Sequence, residues 1–259
     1  MSIDRISFVG VDNRTNFSEL KRLAEISMVK LEFGVLYSET KKDNRYPDGL
    51  VIDNLSSYVN GQLPYSTSLH LCGTSVQKFL SYDREFLSNL LHYEIDDGVY
   101  QNEFDAVQLN FVLKPEQNIE KLVHDAVRSC WLLGIRDLIF QANKSKTKLV
   151  QYLQDLDPET YKDDVNIRLL FDGSGGFGRE ISNIEKPFKN FYTGYAGGIK
   201  PENIHDIAYK VEIESGATPV YLDMESGVRE DNWLSINKCE KIIECVNKLK
   251  QNNVWETVE

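Results

Sequence analysis

The stretch FYTGYAGGIKPENIHDIAYKVEIESGATPVYLD, residues 191–223, reads as one complete structural unit. Phe191–Ala196 is a short β-prone run that Gly197-Gly198 breaks. Pro201 stands where a first helical turn tolerates a missing N–H, and a helix is predicted over Pro201–Glu214. Pro219–Asp223 is a second β-prone run. A strand, a crossover helix and a second strand imply parallel pairing with a right-handed connection.

The unit repeats along the chain. β-prone runs recur at Ile6–Val11, Val29–Leu36, Ser66–Leu71, Asp105–Phe111, Asp137–Ala142 and Asn166–Phe171, which with the two above makes eight strands. Between them, Asn16–Ile26 puts Phe17, Leu20, Leu23 and Ala24 on one face, with Asn16 or Ser18 available as a cap. Pro115–Leu133 spaces Ile119, Leu122, Val123, Ala126 and Val127 by threes and fours, and Ser235–Leu249 is strongly periodic. Thr74–Glu103 is long enough for two short helices, so a helical insertion is predicted near residues 74–104. Eight strands alternating with helices imply an α/β fold closed into a (β/α)₈ TIM barrel. An open doubly wound sheet is the competing arrangement, but Gly10-Val11-Asp12-Asn13 after the first strand is no nucleotide fingerprint. No Pro/Gly/Ser linker divides the chain, and residues 1–259 are expected to form one domain.

Composition agrees with that reading. The 259 residues match the roughly 250 that one such barrel uses. Apolar residues make up 41%, enough for a sizeable core, which excludes general disorder. A balance of 29 Lys+Arg against 40 Asp+Glu, net −11, disfavours nonspecific binding to nucleic acid or anionic membranes. A local basic pocket can still hold one phosphate. Cys72, Cys130, Cys239 and Cys245 form no C-x-x-C pair and are too sparse for a disulfide framework. Met1–Phe8 carries Asp4 and Arg5 and lacks the apolar run of a signal peptide, and no apolar stretch is long enough to span a membrane. The expectation is a soluble cytoplasmic protein, monomeric or a homodimer, with no nucleic-acid or membrane partner.

In a barrel, strand C-termini and the loops after them surround the active site. Those positions hold Asp12, Arg45, His70 with Cys72, Asn110, Gln141 with Asn143, Asp172, Gly197-Gly198 and Asp223-Met-Glu-Ser-Gly227. Asp12 and Asp172, on the first and sixth strands, would face each other across the mouth as an acid/base pair. Equally, Asp12 can cap a turn with Asn13, and Asp172 can simply open the glycine loop Gly173–Gly178. Glycines at Gly173–Gly178, Gly197-Gly198 and Gly227 leave backbone N–H groups free to hold an anion; a demand for positive φ explains one such loop more easily than three.

Other conspicuous residues carry less. Cys72 is a possible nucleophile, but His70 and Cys72 are too few for a metal site. Cys130, Cys239 and Cys245 sit on helices as packing residues. His92, His124 and His205 are also helical, so no zinc cluster is implied and no metal is expected. Trp131, Phe79, Phe86 and Leu90 read as core or insertion packing.

These segments resemble phosphoribosylanthranilate isomerase over essentially the whole chain. Val11-Asp-Asn-Arg-Thr-Asn16 is similar to that family's first motif, Ile-Cys-Gly-Ile-Thr-Asn, and Phe33-Gly-Val with Arg45-Tyr46 to its second-strand elements. Asp105-Ala-Val-Gln-Leu109 and Leu170-Phe-Asp172 resemble its fourth- and sixth-strand motifs. The most specific likenesses are Ala196-Gly-Gly-Ile-Lys-Pro-Glu-Asn203 and Asp223-Met-Glu-Ser-Gly-Val228.

The resemblance implies a cofactor-free Amadori rearrangement of a phosphorylated aminoaldose. It implies Asp172 as acid and Asp12, at the family's cysteine position, as base; an alternative register puts Val9 there and removes the base. It also implies Arg45 on a substrate carboxylate and Gly197, Gly198, Ser226 and Gly227 around the phosphate, while Asn110, where the family has His, and Gln141 are expected as substrate contacts from their strand-end positions. Glu225 replaces a family serine beside that phosphate and is expected to point outward. Helix starts near Pro201 and beyond Val228 would add positive charge. The alternative is a repurposed barrel that binds a sugar-phosphate or nucleotide-like ligand without catalysis, and a third possibility is an enzyme for an unphosphorylated sugar.

Overall fold

The computed structural model describes residues 1–56, 63–91, 104–157, 160–161, 165–173, 181 and 184–251. Its strands are β1 (Ile3–Val9), β2 (Lys30–Tyr37), β3 (Ser66–Cys72), β4 (Ala106–Asn110), β5 (Asp137–Ala142), β6 (Asn166–Asp172), β7 (Tyr192–Ala196) and β8 (Val220–Met224). All pair in parallel in sequence order, and β8 closes on β1. The predicted (β/α)₈ barrel is therefore the fold.

Helices α1 (Phe17–Ile26), α2 (Gly49–Ser56), α3 (Thr74–Leu80), α4 (Arg84–Leu91), α5 (Ile119–Leu132), α6 (Thr147–Asp155), α7 (Ile204–Ser215) and α8 (Ile236–Gln251) accompany the strands. Asn16 caps α1 by accepting from Ser18 N–H. The predicted insertion supplies α3 and α4, while its residues 92–103 lie outside the described residues.

Several boundaries move, each for a local reason. β1 ends at Val9 rather than Val11, because Gly10 takes a φ of 116° and turns the chain. The N–H groups of Gly10 and Val11 then both reach the Gly34 carbonyl, at 2.7 and 3.0 Å. α5 begins after Asn118, whose side chain accepts from Lys121 N–H. α7 begins at Ile204 rather than Pro201: Asn203 accepts from Lys200 N–H and donates to the Gly198 carbonyl, folding 201–203 into a turn. No helix starts directly beyond Val228, where a small antiparallel hairpin of β9 (Arg229–Glu230) and β10 (Trp233–Leu234) precedes α8.

Alternation along each strand separates two cores. Ile6, Phe8, Leu31, Phe33, Leu138, Phe140, Leu169 and Leu222 join the helix residues in the large apolar layer around the barrel. On the opposite strand face, Ala106, Ile139, Leu170, Ala196 and Tyr221 form a small separate cluster within it. Glycine makes room for large partners there: a Cβ at Gly194 would lie 2.2 Å from the Tyr221 ring.

Much of the interior is charged instead of apolar. Glu32 of β2 is fully buried and accepts from Arg168 of β6 at 2.8 Å and from Arg5 of β1 at 2.7 Å. The Arg168 Nε donates to Asp137 of β5 at 3.0 Å. Burial alone would push Glu32 up, but the Arg168 and Arg5 guanidiniums hold it below the ordinary carboxylate value. The rings of Tyr192 and Tyr221 lie 5.8 and 5.7 Å from the Arg168 guanidinium. Arg168→Met leaves buried Glu32 with Arg5 as its remaining cation and takes the guanidinium from Asp137, so urea unfolding is expected to register a loss of about 3–5 kcal/mol, and a loss under about 1 kcal/mol would contradict this account.

Candidate active site

Inward positions at the strand C-termini converge on one cavity of about 810 Å³. Val9, Leu36, Cys72, Asn110, Gln141, Asp172, Ala196 and Asp223 line it from the eight strands in turn. Arg45 and Tyr46 join from the loop after β2, Gly197-Gly198 from that after β7, and Glu225, Ser226, Gly227 and Arg229 from that after β8. The structure thus brings together Asp172, Arg45, Asn110, Gln141, Gly197, Gly198, Ser226 and Gly227.

Asp12 is not among them. It is buried beside the small hairpin, where its carboxylate accepts from Arg14 N–H at 3.0 Å, the Thr15 hydroxyl at 3.1 Å and Leu234 N–H at 2.6 Å. The expected facing pair of Asp12 and Asp172 is corrected on this point: Gly10 ends β1 early, Val9 takes the mouth position, and Asp12 fastens the following loop.

Two other groups stand beside Asp172. Gln141 Nε2 donates to its carboxylate at 3.4 Å, and Lys146 Nζ donates to Gln141 Oε1 at 3.2 Å. Lys146 is 1% exposed, with its ammonium 4.4 Å from the Phe111 ring centre. Burial lowers its pKa to about 8, against the pull of Asp172. The second group is Asp223. Strand register sets Asp172, Ala196 and Asp223 side by side across β6, β7 and β8. Burial pushes Asp223 up to about 8, and the carboxylates of Glu32, Glu225 and Asp172 push the same way.

Sequence reasoning placed Asp223 among the strand-end positions without giving it a role in the chemistry, and it passed over Lys146. The i, i+2 alternation of Tyr221, Asp223 and Glu225 was a usable signal for the first; nothing local marks Lys146 as buried.

Glu225 points into the mouth, not outward. It lines the cavity and accepts from Arg45 Nη2, so the arginine expected on a substrate carboxylate holds one of the protein's own. Nearby, Gln108 Nε2 donates to Asn110 Oδ1 at 2.8 Å, and Asn110 Nδ2 reaches Cys72 Sγ at 3.6 Å. Burial raises the Cys72 thiol. His70, under the cavity, is kept neutral by burial, which lowers it to about 4.

The β7 and β8 loops meet backbone to backbone. A Cβ on Gly227 would stand 1.8 Å from the Ile199 carbonyl oxygen, and Gly197 and Gly198 adopt φ of 123° and 59°. Of the other glycine-rich loop, Gly173 is described and Ser174–Gly178 lie outside the described residues, as does His92. Phe79, Phe86 and Leu90 pack in the core, whereas Trp131 is 59% exposed, a correction to its packing assignment. Among the described residues no group of three or more His, Cys, Asp or Glu could hold a metal, and no helix is long and apolar enough to cross a membrane.

No protein-family model and no curated protein matches the chain. Solved structures do match. The N-(5'-phosphoribosyl)anthranilate isomerase of Pyrococcus furiosus is 12% identical with a TM-score of 0.51, covering 94% of this chain and 98% of that one. Phosphoribosyl anthranilate isomerase from Thermococcus kodakaraensis is 16% identical with a TM-score of 0.55, covering 94% and 99%. This chain has their barrel fold. At such identity the likeness concerns architecture, and the chemistry has to come from the mouth itself.

The raised Asp223 has a consequence for stability. Its contribution is fully present below its unfolded value of about 4 and is lost as pH rises through about 8. Asp223→Asn is therefore expected to gain melting temperature relative to the parent between pH 5 and pH 9; a pH-independent difference would contradict the burial of an ionisable group here.

Proposed function

We propose that this barrel is an aldose–ketose isomerase performing an Amadori rearrangement of a phosphorylated aminoaldose, with Asp223 and Asp172 as its acid and base. The observation that carries this reading is their shared register: two carboxylates at one height, separated by a single strand whose residue there is Ala196. Two interstrand spacings, about 9–10 Å, leave room for a sugar between them.

At neutral pH a group titrating near 8 holds its proton, so Asp223 is the donor. It protonates the ring oxygen, and the bond from that oxygen to C1 breaks to give a Schiff base. Asp172, positioned by Gln141, removes the C2 proton, and the electron pair moves into the C1–nitrogen unit as an enolamine. The proton on Asp172 then returns to C1 while the C2 hydroxyl proton returns to Asp223. The products are a 1-amino-1-deoxyketose and the original enzyme. Every proton transfer uses a side chain of the chain, with no cofactor required.

Gly197, Gly198, Ser226 and Gly227 would cradle the phosphate with backbone N–H groups, and Asn110 and Gln141 would face sugar hydroxyls. Asp12 has no part in this scheme, and Asp172, the acid by resemblance, serves here as the base because Asp223 is the carboxyl that holds a proton. Asp172→Asn and Asp223→Asn are each expected to lower turnover of phosphoribosylanthranilate by about a hundredfold or more, and parent activity is expected to decline above about pH 8. Undiminished turnover in either variant would refute the pair.

Arg45 being held by Glu225 favours a second reading, a barrel that binds a sugar phosphate without converting it. Thermal stabilisation by sugar phosphates with no product formed would select that reading.

A further inference from the structure

Lys146 is a buried ammonium that the proposed rearrangement does not use. It closes the turn after β5, where the Asn143 side chain accepts from Ser145 N–H at 3.1 Å and from the Ser145 hydroxyl at 2.6 Å. Lys146 N–H reaches the Asn143 carbonyl at 2.9 Å. That turn folds the chain back over the strand end and returns the lysine to Gln141, five residues earlier on β5. The residue is 1% exposed, its Nζ lies 4.4 Å from the Phe111 ring centre, and it donates to Gln141 Oε1 at 3.2 Å.

An ammonium has three donors and no acceptor, so it can meet only the carbonyl end of a side-chain amide. The other end of Gln141 is then fixed as a donor, and its Nε2 donates to the Asp172 carboxylate at 3.4 Å. Without Lys146 the amide could turn over and offer its oxygen to Asp172, which favours a protonated carboxyl. The direction of the relay therefore favours the ionised carboxylate, the form that a base needs. Burial lowers Lys146 to about 8, which still leaves it charged at neutral pH. Asp172 shares the cavity with the carboxyls of Asp223 and Glu225 and with the cations Lys41, Arg45 and Arg229. Arg45 is held by Glu225, and Arg229 by the carbonyls of Asn232 and Gly10. Lys146 is the cation tied to Asp172 through a neighbouring strand.

We propose that Lys146 is a positioning residue for Asp172: its ammonium locks the Gln141 amide with N–H toward the carboxylate and so holds Asp172 ready as a base. This rests on the isomerase reading for the step that it serves, and adds a group that reaches the reaction only through Gln141. Once Asp172 carries the C2 proton, the amide N–H faces a neutral carboxyl, and the relay favours passing that proton on to C1.

The test reads Asp172 directly, by carboxyl NMR on the full chain across pH with no substrate added. Lys146→Met keeps an unbranched apolar stem but removes the donors. It is expected to raise the Asp172 titration by about one pH unit, the scale of one lost hydrogen bond to a charged group. In a Gln141→Met background the same substitution is expected to add less than half that shift, because the amide that carries the effect is gone. An unmoved Asp172 in Lys146→Met would overturn the proposal. So would a full shift in the Gln141→Met background, which would mean that the lysine acts by its charge alone. If Lys146→Met does not fold, the parent still decides: the Gln141 side-chain N–H signals are expected to move as Asp172 titrates, and signals indifferent to that titration would overturn the relay. In turnover of phosphoribosylanthranilate, Lys146→Met is expected to lower kcat about tenfold, leave KM within about twofold and move the acidic limb of the pH profile upward. An Asp172 shift in a protein without turnover keeps the relay and removes the isomerase reading. Turnover with an unshifted Asp172 does the reverse.

Discussion

The buried contact between Arg168 and Glu32 is the constraint on which the barrel's interior depends. A charge removed from water is tolerable only when its partners are already in place. Here those partners come from four strands, with Arg5 on β1, Glu32 on β2, Asp137 on β5 and Arg168 on β6. Strands β2 and β6 stand on opposite sides of the barrel, so the pair fixes its width as well as its register. A one-residue slip of either strand would turn its charge into the apolar outer layer.

That floor decides what the mouth can be. With the strand registers set, the same alternation that points Arg168 inward also points Leu170 and Asp172 inward, and likewise Tyr221 and Asp223. Small residues on β7 complete the arrangement. Gly194 admits the Tyr221 ring, and Ala196 leaves the space between the two carboxylates unfilled. The site is thus the upper end of a packing scheme that begins at the floor.

Electrostatics in the mouth run against the chain as a whole. The protein carries a net charge of −11, yet Arg45, Arg229, Lys41 and Lys146 gather at or beside this cavity. They face Asp172, Glu225 and the protonated Asp223, so the mouth does not share the acidic balance of the whole chain.

Much of this was legible in the sequence. The eight strands lie where β-prone runs predict them, Asp137–Ala142 to the residue, because period-two and helical patterns are local properties. Their order implied the barrel, and the barrel implied that strand ends carry the site; Asp172, Arg45, Asn110, Gln141 and the glycines of the last two loops followed from that rule alone. What sequence could not decide were contacts made across the fold. Asp12 left the mouth because Gly10 turns early, with its N–H bound to Gly34 and its carbonyl to Arg229. Glu225 turned inward because Arg45, 180 positions away, meets it there. Lys146 became a buried ammonium only when Phe111 and Gln141 closed over it. Periodicity fixes which face a side chain takes, but the partner it finds on that face comes from a distant strand, and only the closed barrel brings the two together.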